Sequence, residues 1–161
     1  MKGVVTMTKS YVAKGLASAI ALAAALSGTA VAGAEESSAY DSYQSTGQSA
    51  LASLAQEIFD LTNQHRAEYD VSPLRYDSFL GWNAQQWAEE LRDNHTVSHS
   101  EDAEVENIAW FNSAPTAEEV LDFWLQNPGA RENLLDPELN KIGIGIAQAE
   151  DGSYVVQRFE E

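Results

Sequence analysis

From Ala50 onward the chain places Leu51, Leu54, Ala55, Ile58, Leu61 and Thr62 at helical spacing, and Asn63, Arg66 and Tyr69 continue the register. Ser72-Pro73 ends this helix, because the residue before proline avoids the helical basin. Asp77 or Ser78 caps a second helix that carries Leu80, Ala84, Trp87, Ala88 and Leu91 on one face. Thr116 and Glu119 form a capping box for a third, TAEEVLDFWLQN, with Val120, Phe123 and Trp124 facing the core and Pro128-Gly129 as its stop. The period then changes. Ile142, Ile144 and Ile146 alternate with Gly143 and Gly145, and SYVVQRF follows Asp151-Gly152, the pattern of a β-hairpin. Glycine weakens a strand interior unless another backbone approaches closely, so a helix is expected on the glycine face. The fold class is α+β, with helical layers on both sides of a small antiparallel sheet.

Upstream of Ala50 the pattern is different. Lys2, Lys9 and Lys14 precede the uncharged run GLASAIALAAALSGTAV, which leads into Ala32-Gly33-Ala34. A positive start, a short apolar middle and a small-residue exit make residues 1–34 a secretory signal peptide, cleaved after Ala34. Met1 and Met7 both leave a workable positive start. The run is Ala-rich and shorter than the roughly 20 strongly apolar residues of a span, so no membrane span is expected in the mature protein. Residues 35–49, EESSAYDSYQSTGQS, lack an apolar period and read as a flexible polar leader before a domain at 50–161.

Charge and cysteine content narrow the partners. All 25 acidic residues follow Ala34, where six Lys and Arg remain, giving the mature chain a net charge of −19. Such a surface repels nucleic acid and anionic lipid headgroups, and suits a cationic protein or a weakly held divalent cation better. With no cysteine, an exported domain relies on its core alone.

Five segments, in order, carry a resemblance. LTNQHRAEYDVSPLRYDSFL has Asn63 and Arg66 at N-x-x-R spacing, and Leu74 and Asp77 sit in an L-x-x-D element. WAEELRDNHTVSHS, VENIAW and VLDFWLQNPGARENLLDP follow. Together they resemble the CAP superfamily of cysteine-rich secretory, antigen 5 and pathogenesis-related proteins, in its bacterial secreted form. The resemblance implies an α-β-α sandwich and a cleft lined by the equivalents of His99, Glu106 and position 130. It also shows departures. Val105 replaces a glycine, so the backbone there need not adopt positive φ. Asn127 stands where a second glutamate or a serine is expected, and Ala130 replaces the second histidine. The family's cleft metal is attributed to two imidazoles, so no resident metal is expected here.

His99 and Glu106 are the candidate catalytic pair, as a base and its orienting carboxylate, with a structural hydrogen-bond role as the alternative. His95, four residues before His99, offers with Glu106 an improvised metal site, although its place at a helix end favours solvent. Ser98, Ser100, His99 and Asp102 are too close in sequence to converge as a serine triad. Asn107, Arg131 and Asn133 are polar groups in apolar segments, expected to brace the cleft. Trp82, Trp87, Trp110 and Trp124 are core by default, and Trp110 is also a candidate cleft wall. These features favour a secreted, non-catalytic binding module whose partner is a protein, a cell-wall fragment or a lipid. The alternatives are a hydrolase of peptide or cell-wall material using His99 and Glu106, and a carrier of apolar ligands.

Overall fold

The computed structural model describes the backbone of residues 32–161 and side chains from Ser45. The expected signal peptide therefore lies outside the described residues up to position 31. Helix α1, Ala32–Glu68, runs through the expected cleavage site and the segment 35–49. That segment was expected as a flexible leader; its Ala, Glu, Gln and Ser favour or tolerate helix, and it contains no proline. Side chains 45–50 are exposed, and packing begins at Leu51, one residue from the expected domain start.

After α1 come β1, Arg75–Tyr76; α2, Ser78–Asn94; β2, Val105–Phe111; α3, Ala117–Leu125; α4, Pro128–Leu135; β3, Lys141–Ala149; and β4, Gly152–Glu160. Asp77 caps α2 by accepting the N–H groups of Phe79 and Leu80. The Thr116–Glu119 capping box opens α3 as expected. Pro128 does more than stop that helix. It occupies the first turn of α4, where its missing N–H has no intrahelical role, and Asn127 caps the new helix.

The strand order is β1-β3-β4-β2. The β2, β3 and β4 pairs are antiparallel as expected, but β1 joins β3 parallel through Arg75 and Tyr76 alone, so the sheet is mixed. Strand alternation separates two packing faces. Ile142, Ile144, Ile146, Val155 and Phe159 meet Ile58, Val120, Trp124 and Leu134 of the α1, α3 and α4 layer. Ala147, Tyr154 and Val156 meet Ala84, Ala88 and Leu91 of α2. The glycines of β3 turn toward α2, where a Cβ on Gly143 would strike Leu80 and Gly81, and one on Gly145 would strike Ala84 and Gln85. The glycine face is thus the close helix–sheet contact read from the sequence.

Two polar side chains of α1 lock the loops that frame this sandwich. Asn63 accepts from the Leu74 N–H and donates to the Leu74 carbonyl. Buried Arg66 donates to the carbonyls of Ser72, Leu134, Asp136 and Leu139, tying α1 to the end of α4 and the approach to β3. Three aromatic core expectations fail, those for Phe123, Trp82 and Trp110, the last 41% exposed near the end of β2. Phe123 is 45% exposed at the rim of α3, edge-on to Phe111, because the adjacent Leu121 and Trp124 already fill the inward stripe. Trp82 is 59% exposed on the outer face of α2, stacked on Phe79, whereas Trp124 is buried and Trp87 half-buried.

Candidate functional site

Glu106 is the second residue of β2 and lies directly across from Arg158 of β4. Strand alternation turns both side chains toward the α2 side of the sheet, where the loop after α2 closes over them. Their side chains are 2% and 6% exposed, and Arg158 Nε donates to Glu106 Oε2 at 3.1 Å. The other carboxylate oxygen accepts from the Ser100 N–H at 3.1 Å and meets His99 Nδ1 at 3.0 Å. A proton on Nδ1 satisfies that contact and leaves Nε2 pointing outward, on a ring whose side chain is 72% exposed. The remaining Arg158 donors bind Ser100 Oγ at 2.8 Å and Asp102 at 3.2 and 3.4 Å. Asp102 is held below the usual carboxylate range, first by the Ser100 hydroxyl and then by the Arg158 charge.

Asn107, on the opposite face, donates to the Ala130 carbonyl at 3.2 Å and to Gln157 at 3.4 Å. Gln157 in turn donates to Thr62 of α1. Asn133 of α4 donates to Asn107 Oδ1 at 2.9 Å. Asn127 spends its side-chain oxygen on the N–H groups of Gly129 and Ala130. His99, Glu106, Asn107, Asn127, Ala130 and Asn133 therefore line one cleft of about 470 Å³, between the loop before β2 and the start of α4.

Three predicted residues are elsewhere. Arg131 points away from the cleft, binding the Tyr69 hydroxyl at 3.0 Å with its guanidinium over that ring. Trp110 is four residues along β2, about 14 Å from Glu106, and 41% exposed beside the β3–β4 turn. His95 caps α2 in the left-handed conformation and pairs with Asp151 of that turn at 2.8 Å, remote from His99 and Glu106 in its contacts. The improvised metal site is not assembled, and the described residues contain no group of three or more His, Cys, Asp or Glu poised for a metal.

The chemistry of the donor set argues the same way. Both Glu106 oxygens are engaged, the Asn127 oxygen is a helix cap, and residue 130 is an alanine, which leaves His99 Nε2 as the free donor of the predicted set. Zinc takes about three or four protein ligands, so these residues do not fit it. Ser100 Oγ is bound to Arg158 and to the Ala103 N–H, with no bond to His99, so no serine triad forms. Sequence reasoning missed Arg158, the partner that neutralises Glu106. Its signal was a charged residue in the β-hairpin strand SYVVQRF, readable once the register of β4 on β2 was known.

A sheet between two helical layers, with a cleft built from a strand glutamate, a loop histidine and the cap of a short helix, defines a CAP-type domain. Residues 59–159 match the Cysteine-rich secretory protein family, CAP, and the chain belongs to it. The human Golgi-associated plant pathogenesis-related protein 1 is 30% identical over 132 residues, covering 70% of this chain and 86% of that protein. The YkwD protein of Bacillus subtilis (strain 168) is 27% identical over 128 residues, covering 69% of this chain but 48% of its own length. Among solved structures, an outer surface protein of Borrelia burgdorferi shares the fold with a TM-score of 0.58 at 19% identity, over 65% of this chain and 89% of that one. An extracellular SCP-domain protein of Bacillus anthracis str. Ames gives a TM-score of 0.53 at 20% identity, over 68% of this chain and 41% of that one. Relatives of the fold thus include extracellular and outer-surface bacterial proteins. No helix among the described residues is long and apolar enough to cross a membrane.

Proposed function

We propose that this protein is a secreted CAP domain that acts as a non-catalytic binding module through its reduced cleft. One observation carries the reading: the cleft's carboxylate is tied to His99, Ser100 and Arg158, and no hydroxyl or thiol side chain among the described residues lines the cleft. A general base needs a free lone pair facing the proton it removes, and a nucleophile needs a base beside it. His99 Nε2 keeps a free lone pair, but no serine, threonine or cysteine among the described residues lines the cleft beside it, so the pair has no side-chain nucleophile to activate. What the cleft does offer is a recess floored by Ala130, with hydrogen-bonding groups around it and an exposed imidazole on the rim.

The test is a comparison of wild type, His99→Ala and Glu106→Gln on fluorogenic peptide pools and on purified bacterial cell wall, with folding checked by circular dichroism. Wild type is expected to show no turnover above buffer. Turnover abolished by either substitution in a folded protein would establish the hydrolase instead. A second groove supports the carrier reading: Leu51, Ala55, Tyr76, Ile144 and Ile146 line about 540 Å³ between α1, α2 and the β3 edge. Failure of the purified protein to retain any lipid from a membrane extract would remove that reading.

A further inference from the structure

The sheet has two edges, and they are treated differently. On the β3 edge, β1 covers Ile142, and the Gln85 side chain clasps the next outward-facing residue but one, accepting from the Ile146 N–H at 2.9 Å and donating to its carbonyl at 3.1 Å. The β2 edge has no equivalent. Because Ile146 faces outward, Val155 opposite it on β4 turns its backbone groups to Ala109 of β2. The N–H and C=O groups of Glu106, Ile108 and Trp110 consequently point away from the sheet. Asn133 reaches the Glu106 carbonyl at a long 3.5 Å. Nothing among the described residues bonds the outward groups of Ile108 or Trp110. An open edge is a template for another strand, and folded domains usually blunt it with a charge, a proline or a cover. Here it is left open where it runs out of the cleft, since Ile108 lines both.

We infer that the cleft's partner is an extended basic peptide segment, added as a further strand to the open edge of β2. The inference rests on the binding reading of the same cleft. Charge selects the occupant. Glu104 and Glu132 line the cleft, are exposed, and have no ion pair among the described residues. The chain as a whole carries a net charge of −16, which opposes an acidic strand or a second copy. At the far end of β2, the exposed Trp110 ring offers a face that lysine or arginine stacks on. Main-chain bonds to Ile108 and Trp110 supply affinity, while alternate side chains reach the acidic rim and the recess over Ala130.

The probe is a synthetic peptide of about ten residues alternating lysine and valine, one strand in length. It is titrated into the full secreted protein while amide hydrogen exchange is followed by NMR. Binding with protection of the Ile108 and Trp110 amides is expected. N-methylation of alternate peptide amides, which removes about two of these bonds, should weaken binding about tenfold or more. Glu104→Lys with Glu132→Lys, both at exposed positions, should weaken it by a similar factor without loss of fold. No binding by about 1 mM peptide would overturn the inference. Equal affinity for the N-methylated peptide would also overturn it, while leaving the cleft-binding reading intact. Cleavage of the peptide would sink the non-catalytic reading and leave the edge assignment standing. A dimer in the free protein with Ile108 and Trp110 already protected would assign the edge to a second copy and refute the peptide.

Discussion

Arg158→Met isolates the interaction on which the site depends. In the folded domain, the Glu106 carboxylate is almost fully buried and takes its charge compensation from Arg158. Methionine fills much of the arginine's volume but leaves Oε2 without a donor. Removing one partner of a buried ion pair costs about 3–5 kcal/mol, because the surviving charge stays buried and unpaired. Oε1 keeps His99 and the Ser100 N–H, so the lower end applies, about 3 kcal/mol. Asp102 also loses its ion pair, but its side chain is 74% exposed and water replaces the contact with little net effect. The assay is urea denaturation followed by far-UV circular dichroism. With m near 1–1.5 kcal/mol/M for a domain of this size, the midpoint should fall by about 2–3 M. The double variant Glu106→Leu, Arg158→Met removes the orphaned charge and is expected to recover about 1–2 kcal/mol of that loss. A single-variant midpoint shift below about 0.5 M at unchanged m would refute the reasoning. So would a double variant less stable than Arg158→Met alone.

Three further outcomes follow from other parts of the structure. Gly145→Ala forces a Cβ into the Ala84–Gln85 backbone of α2, so a loss of about 3 kcal/mol and a Tm lowered by more than ~10 °C are expected, while Gly129→Ala, with its nearest contact at 3.7 Å, should change Tm little. Asp102 has its folded pKa lowered by Ser100 and Arg158, so its stabilisation is present above the ordinary Asp pKa of about 3.9 and is lost as pH falls through the lower folded value. Unfolding free energies of wild type and Asp102→Asn from urea titrations should therefore differ by a few tenths of a kcal/mol at neutral pH and converge as pH falls through the lowered folded pKa, and a gap that widens in acid contradicts this. Ala130→His restores a second imidazole to the cleft, so calorimetric titration with zinc should show saturable binding in the variant and not in wild type; tight binding by wild type would overturn the donor accounting given above.

Much of the fold was legible because it rests on local rules. The Asp77 cap, the Thr116–Glu119 box and the isoleucine–glycine alternation of β3 each follow from backbone hydrogen bonding or side-chain period, and each stands where it was read. The cleft was legible in part: His99, Glu106, Asn107, Asn127 and Asn133 converge, whereas Arg131 and Trp110 do not. Arg131 and Asn133 are two apart on α4, so a helix turn sends them to different sides. Phe123 and Trp82 were misplaced for a related reason. Helical periodicity gives a face but not its width, and neighbouring side chains decide which aromatic ring the core has room for.

The sequence by itself determined three of the helices, the C-terminal hairpin and the missing second histidine, since identity and periodicity are properties of the chain alone, whereas α4 and the parallel β1 emerged only in the fold. Tertiary structure decided what the remaining site residues do. The bond between Glu106 and Arg158 spans 52 positions and exists only through the register of β4 on β2. A one-residue slip would move either side chain to the other face of the sheet. The open β2 edge was equally invisible, because whether a strand is central or marginal depends on its neighbours in space. Chain order places β2 between two helices, and only the folded sheet makes it an edge running out of the cleft.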